Sequence, residues 1–533
     1  MQNIASQIIL AALRKKVFGK AAFDRLKRKV AGDFKSPPPA TSCLNKAYHN
    51  LIKSKKIKPS KELEAVLVRR GIRSLSGIAP VTVLTKPFPC PGKCVYCPDE
   101  ATMPKSYLSN EPAATRALYL KFSPFNQVER RLMALYDNGH PVDKVELIVK
   151  GGTWSSYPVS YQKWFIKRCF DAANAFGAEN KKSKNLTQAQ KINQRAKCRI
   201  IGLTLETRPD CVTPEEARRM RELGATRVEL GVQTLDHDVL ETVRRGHYTD
   251  WIAYATHLLK DAGFKVDYHM MPGLPGSTPK KDVQVFKQLF EDSRYRPDMI
   301  KIYPCVLLPN SELYEWWKRG KYRPWLEKTL INTLIKIKSL IPRYVRVSRL
   351  VRDFPTSPMS VRAPRSNLRQ IIWRAMKKQG KTCQCLRCRE VGHNPDVDIL
   401  KIKPKLFIEK YKASGGQEYF ISFEDAKRKI VFAFLRLRIP STTNQEIIHA
   451  LPEIQGCALL RELHVYGQLM SLGKTSRQAP QHQGLGKKLL KQAEKIAKQN
   501  GFKKMAVISG VGVREYYKNH GYRLKKTYMV KSL

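Results

Sequence analysis

Between residues 81 and 303, short apolar runs alternate with longer stretches whose apolar positions repeat at helical spacing. The runs fall at 81–84, 145–149, 200–205, 227–232, 266–270 and 299–303. This alternation predicts βα units on a parallel sheet, barrel-like or doubly wound. Six strands would leave a barrel open on one side, where a large substrate could enter. Residues 171–195 are polar and read as a long helix or an inserted excursion without chemistry. Ahead of the sheet, residues 1–75 read as helix, a Pro-rich break at 36–39, and helix. Helices are expected again at 324–341 and 368–378. From residue 396 the pattern becomes α+β, with strands at 406–411, 418–423, 430–437 and 458–465, a helix at 487–499 and a strand at 504–509. The expected class is α/β: a basic helical arm (1–75), a partial (β/α)6 barrel (76–355), a basic linker (356–395) and an α+β domain (396–533).

Charge changes the picture. Among 533 residues, 98 Lys and Arg face 45 Asp and Glu, a formal charge of +53. Self-repulsion on that scale makes a polyanion, nucleic acid, the default partner. A lysine-rich, merely solvated surface is the bland alternative. The excess is concentrated in the arm and around 362–405. Arg343, Arg346, Arg349 and Arg352 recur at every third position, a strip that would suit phosphates or form a solvated basic face. No apolar run approaches a membrane span. The opening run at 4–13 is followed, not preceded, by Arg14, Lys15 and Lys16, so it reads as an amphipathic helix and not a signal peptide, and a cytoplasmic location is expected. Of twelve cysteines, six fall in two groups, at 90/94/97 and 383/385/388, with the others scattered, which fits metal binding better than a disulfide framework.

Cys90, Cys94 and Cys97 stand after the first predicted strand, bounded by prolines and loosened by Gly92. An iron–sulfur cube normally takes four cysteines, so three would leave one iron open to a small molecule. A structural zinc would want its shell closed. The Cys-x3-Cys-x2-Cys spacing resembles the radical S-adenosylmethionine signature, and the zinc knuckle or free thiols are the alternatives. Gly151 and Gly152, after the second strand, let backbone approach a ligand. In that superfamily an equivalent pair binds the methionine amino group. Glu206 and Gln233, at the carboxyl ends of the third and fourth strands, are further candidates for cofactor binding. Cys383, Cys385, Cys388 and His393 could close a tetrahedral zinc shell, a second cluster or redox thiols being the competing view.

In the last domain, Gln481, Gly484, Leu485, Gly486 and Lys487 form a glycine turn that exposes backbone N–H groups at a helix start, which suits pyrophosphate. With Tyr517 and the Gly521-Tyr522 pair downstream, it resembles the acetyl-coenzyme A site of the GNAT acetyltransferases. Tyr516 is expected in the core and Tyr517 on the ligand.

Together with Glu-Leu-Gly-Val-Gln-Thr at 229–234, Glu-Leu-His-Val-Tyr-Gly at 462–467 and Ile-Ser-Gly-Val-Gly at 508–512, the two signatures resemble the catalytic subunit of Elongator. That resemblance implies an enzyme forming 5-carboxymethyluridine at the wobble position of transfer RNA, held by its anticodon stem-loop, from acetyl-coenzyme A by radical chemistry. It implies that Cys90, Cys94 and Cys97 hold a 4Fe-4S cluster, that Glu462, Leu463, His464 and Val465 line the acetyl-pantetheine, and that Lys144 is a further acetyl-coenzyme A contact. Lys144, His464 and Tyr517 are the implied catalytic side chains. The short gap between Cys90 and Cys94 resembles stand-alone archaeal and bacterial members, which points to a monomer or homodimer without accessory subunits. A protein lysine acetyltransferase with a structural cluster domain, and a nonenzymatic RNA-binding module, are the other readings.

Overall fold

The computed structural model describes residues 2–68, 77–178, 182–352, 364–394, 402–441, 444–466 and 484–533. The expected boundaries at 75/76, 355/356 and 395/396 fall outside the described residues. The arm is four helices where two were expected: α1 (Gln2–Arg14), α2 (Lys20–Asp33), α3 (Thr41–Lys53) and α4 (Lys61–Leu67). Ile8, Phe23, Leu44, Tyr48 and Leu63 close a core of their own beneath the basic surface. The segment is therefore a small folded unit.

Seven parallel strands follow in sequential order: β1 (Ala79–Leu84), β2 (Lys144–Lys150), β3 (Arg199–Thr207), β4 (Arg227–Gln233), β5 (Lys265–Met270), β6 (Met299–Ile302) and β7 (Arg346–Arg349). The six expected strands are all present, and β7 extends the open barrel by one. Alternation explains the layering. In β2, Val145, Leu147 and Val149 are buried against helices while Lys144, Glu146, Ile148 and Lys150 face the interior of the curve. The connecting helices carry their own start and stop signals. Thr213 caps Pro214–Leu223 by accepting from the Glu216 N–H, and Gly224 ends it at φ 94°.

The arginine strip is not a phosphate surface along most of its length. Arg346 donates to the Tyr466 hydroxyl (2.8 Å) and Glu390 (2.9 Å), Arg352 pairs with Glu111, and Arg343 donates to the Arg428 carbonyl (3.0 Å). These side chains bind the last barrel strand to its neighbours. The expected excursion at 171–195 resolves into the end of the helix Val159–Ala175 and a short helix, Leu186–Asn193.

A second seven-stranded sheet is mixed: β8 (Lys405–Ala413), β9 (Gly416–Glu424), β10 (Val431–Ile439), β11 (Cys457–Val465), β12 (Lys504–Val507), β13 (Arg523–Lys525) and β14 (Tyr528–Ser532). Its order is β13-β14-β12-β11-β10-β9-β8, with β11 and β12 parallel and the other pairs antiparallel. The two sheets share one core, in which Leu203 and Val228 belong with Leu435 and Ala458. Backbone also meets backbone there. A Cβ on Gly510 would come 1.9 Å from the Ile201 carbonyl oxygen, and one on Gly512 would come 2.6 Å from the Arg199 Cβ. These two glycines serve as a joint between the sheets. Buried ion pairs reinforce it: Arg461 with Asp298 and Glu418, and Arg438 with Asp261 and Glu418.

Candidate functional site

The loop leaving β1 carries Cys90, Cys94 and Cys97 to the carboxyl end of the barrel. There they line a cavity of about 720 Å³ together with Phe88, Met103 and Asn310. Arg245 Nη1 donates to Cys94 Sγ (3.4 Å), and Thr153 Oγ1 lies 3.4 Å from Cys90 Sγ. A Cβ on Gly92 would sit 2.3 Å from Arg208 Nη1, so a side chain there would displace the tip of that guanidinium. Burial pushes the Cys94 thiol up, but Arg245 and Arg208 more than offset it and leave the pKa below that of an ordinary thiol. Cys97 is pushed up to about 12 by burial, to which the charge of Cys94 and Cys90 adds. Burial and mutual repulsion oppose ionising the three thiols together without metal charge, and three cysteines lining one cavity fit an iron–sulfur cluster.

Beside them, Gly151 takes φ 126° and Gly152 φ 72°. The turn is pinned from one side only. Thr85 Oγ1 donates to the Gly151 carbonyl (3.0 Å), and a Cβ on Gly151 would strike that hydroxyl, whereas one on Gly152 would meet open space. The Gln233 Oε1 atom, at the end of β4, is buried without a partner and can accept from a ligand. These features fit the amino acid portion of S-adenosylmethionine.

The interior between the strands is a column of paired charges. Glu206 accepts from Lys150 (2.7 Å) and lies 3.2 Å from His269 Nδ1; Glu229 binds His269 Nε2 (3.0 Å), Lys150 and Lys301. Burial opposes ionisation of Glu206 and Glu229, yet Lys150 with its neighbours overrides it and holds both below the usual carboxylate range. Burial drops Lys301 to about 8. Towards the amino ends of the strands the column continues through Arg227, 2.8 Å from Glu146, to Lys265, which reaches Glu462 Oε1 at 3.3 Å.

Glu462 belongs to β11, so the column ends at the second expected site. Pairing between β11 and β12 stops at Leu460 and Val507, while β11 runs on to Val465, so the two strands part there. Leu463, His464 and Val465 are half-buried along that parting. His464 stacks on Phe434 (5.9 Å between centroids) and its Nε2 is buried without a partner. Burial lowers its pKa, favouring the neutral ring. The helix Leu485–Gln499 starts opposite, with Gly484 at φ 69°. A Cβ on Gly486 would come 3.4 Å from Val465 and 3.1 Å from the Tyr516 hydroxyl, so Tyr516 borders the wedge and is not simply a core aromatic. Tyr517 is buried and edge-on to Tyr516. Lys487 is exposed on the first turn. Gln481 lies outside the described residues. The cradle fits a pyrophosphate and a pantetheine arm. Lys144 opens β2 in register with Arg199, whose Cβ meets the Gly512 joint, and burial lowers its pKa.

The sulfurs of Cys383, Cys385 and Cys388 lie within 4.8 Å of one another. His393 is not part of that group; its Nε2 faces Glu390 at 3.9 Å. Lys338 Nζ comes 3.8 Å from Cys388 Sγ. Burial works against its charge, but the three thiols hold its pKa up. The trio is a donor set for one thiophilic ion, with its fourth ligand unassigned. Sequence reasoning gave Arg208 no role, missed Arg245, and named only Glu206 and Glu462 of the interior column as site residues. The polar-apolar alternation of Lys265-Val-Asp-Tyr-His269 was a signal for the rest of that column.

The arrangement defines the class. Family profiles for the radical SAM superfamily match residues 89–289, for the radical SAM C-terminal domain residues 297–378, and for the GNAT acetyltransferase family residues 447–522. A radical SAM barrel thus shares a core with an acetyltransferase fold. Curated relatives include the tRNA uridine(34) acetyltransferases of Methanocaldococcus jannaschii (44% identical, 89% of this chain and 88% of that protein) and Dehalococcoides mccartyi (45%, 86% and 99%). Human Elongator complex protein 3 is 38% identical over 89% of this chain and 87% of its own. The solved structure of Methanocaldococcus infernus Elp3 lacking its N-terminus superposes with a TM-score of 0.74, at 42% identity, over 86% of this chain and 100% of that one. The chain belongs to the Elp3-type tRNA uridine(34) acetyltransferase family. Among the described residues, no helix is long and apolar enough to cross a membrane.

Proposed function

We propose that this chain converts the wobble uridine of transfer RNA to 5-carboxymethyluridine, drawing the two-carbon unit from acetyl-coenzyme A. One observation carries the reading: the thiol loop and the acetyltransferase wedge stand at opposite ends of one charged column inside a single core. Attaching carbon to the unactivated fifth position of uracil is beyond side-chain acid–base chemistry, so a cofactor must supply the reactivity. When bound, the 4Fe-4S cluster with S-adenosylmethionine would supply a carbon radical and acetyl-coenzyme A the acetyl group.

The chain's own residues do the rest. Cys90, Cys94 and Cys97 hold the metal while Arg245 stabilises thiolate charge. The Gly151–Gly152 backbone, Glu206 and Gln233 Oε1 orient the amino acid portion of the nucleoside cofactor. Glu462 to Val465 offer a strand edge to the pantetheine, the turn ending in Gly484 with Leu485, Gly486 and Lys487 receives the pyrophosphate, and Tyr516 and Tyr517 close the wedge. His464, neutral and with Nε2 open, accepts a proton from the water that opens the thioester. Lys144 acts as a further contact. The four-helix unit and the basic linker hold phosphates of the anticodon stem-loop, so affinity falls steeply with salt. Zinc on Cys383, Cys385 and Cys388 fixes the linker, and the enzyme works without accessory subunits.

Mass spectrometry of transfer RNA nucleosides after anaerobic incubation with both cofactors and a reductant tests this. Carboxymethyluridine at position 34, dependent on both cofactors, is the expected result. Its absence, or equal yield without S-adenosylmethionine, overturns the proposal.

A further inference from the structure

A line of aromatic rings runs from the thiol loop to the surface. Phe88 lines the same cavity as Cys90 and packs on Tyr157 (4.8 Å between centroids); Tyr157 stacks on Tyr161 (5.2 Å), and Tyr161 packs at a tilt against Trp164 (5.6 Å). A second branch starts at Thr153, in contact with Cys90 Sγ, and passes through its neighbour Trp154 to Tyr157. The line ends outdoors. Trp164 is 48% exposed and Val159 39% exposed on the same helix. Lys86 sits over the Tyr161 ring (5.3 Å), and exposed Lys163 flanks Trp164. An indole this bare, rimmed by lysines, is a typical anchor for a small interface with an acidic partner.

We propose that this face docks a small, acidic iron–sulfur electron carrier, and that the rings form the path to the group held by Cys90, Cys94 and Cys97. The inference rests on the cofactor reading above. One electron leaves the carrier's reduced centre, which is oxidised by one unit, and enters the thiol-bound group, which is reduced by one. No bond breaks, no proton moves, and no ring is itself oxidised or reduced. Charge complementarity steers the encounter, and redox encounters of this kind use small, salt-sensitive interfaces. A nucleotide base could also stack on Trp164 with a phosphate on Lys163. Base stacking, however, has no need of the rings that continue inward to the thiol loop.

The probe is a plant-type [2Fe–2S] ferredoxin, tested with the full chain and with Trp164→Ala and Lys163→Glu. Labelled ferredoxin should bind the metal-free full chain, with affinity falling at least about tenfold in Trp164→Ala and with association slowed and less salt-sensitive in Lys163→Glu. In reconstituted protein, reduction followed by electron paramagnetic resonance should slow in both variants when ferredoxin is the donor and stay unchanged when dithionite is. Equal ferredoxin affinity in all three proteins overturns the proposal, as does equal slowing with both donors. A loss of transfer RNA affinity with ferredoxin binding intact also overturns it and makes the face an RNA surface. The affinity arm needs no cluster. If dithionite produces no reduced-cluster signal in the unaltered chain, the cofactor reading fails while the docking result stands or falls separately.

Discussion

Lys265, the first residue of β5, reaches Glu462 of β11 across the boundary between the two sheets, with Nζ 3.3 Å from Oε1. Arg436 Nε holds the other oxygen at 2.9 Å. Burial disfavours the Glu462 carboxylate, but these two cations prevail and keep it ionised. A barrel residue therefore sets the charge of the strand that lines the parting between β11 and β12.

Lys265→Met should weaken acetyl-coenzyme A binding and cost about 1–3 kcal/mol of stability, because a buried carboxylate loses a charged partner. Adding Glu462→Gln should restore part of the stability but not the affinity. Calorimetric titration with a nonhydrolysable acetyl-coenzyme A analogue and chemical denaturation read the two effects.

Lys260 gives a pH signature. Burial lowers its pKa from 10.5 to about 7, against the pull of Asp298 and Glu418. Between about pH 7 and 10 the unfolded chain holds a proton that the folded chain has released, so this group makes stability rise with pH across that window. Below it both states are protonated and the burial cost is felt in full. In Lys260→Met the urea midpoint should climb less between pH 7 and pH 10 than in the unaltered chain, as parallel denaturation series would reveal.

Cys94→Ala should remove iron, sulfide and S-adenosylmethionine cleavage while leaving transfer RNA binding within about twofold, since the proposed phosphate contacts lie elsewhere. Iron analysis and a filter-binding assay decide it. Loss of both properties would make the thiol loop structural.

Glycines at two turns should differ in whether ligand affinity is lost along with stability. Gly510→Ala drives a methyl into the Ile201 carbonyl, so about 1–3 kcal/mol of stability should be lost. Gly484 faces open space at φ 69°, so Gly484→Ala should cost only about 1–2 kcal/mol from backbone strain, with a larger loss in coenzyme A affinity. Thermal melts with and without coenzyme A separate them.

Zinc should be retained by His393→Ala and lost by Cys385→Ser, with iron content unchanged in both. The sulfur trio is assembled whereas the imidazole faces Glu390. Elemental analysis of the purified variants measures this.

The barrel strands were legible because each buries one apolar face against helices, as with Val145, Leu147 and Val149. Strand β7 was not. It has only four residues, two of them arginines, and its identity comes from Tyr466 and Glu390 across the fold. The same holds for the interior column. Lys150, Glu229 and Lys301 are each ordinary polar positions in sequence, and only sheet curvature brings them together. The thiol loop and the glycine turn could be read locally because their ligands demand local spacing. Gly510 and Gly512 were legible only as part of a family stretch, because their actual neighbour, β3, lies some three hundred positions upstream.

That joint constrains how the enzyme can be divided. With Gly510 seated against the Ile201 carbonyl and Tyr528 donating to the Ala262 carbonyl at 2.7 Å, neither half owns a finished surface. Severing the polypeptide between them would leave two sticky fragments, not two working modules, so coexpressed pieces should aggregate unless they meet during synthesis.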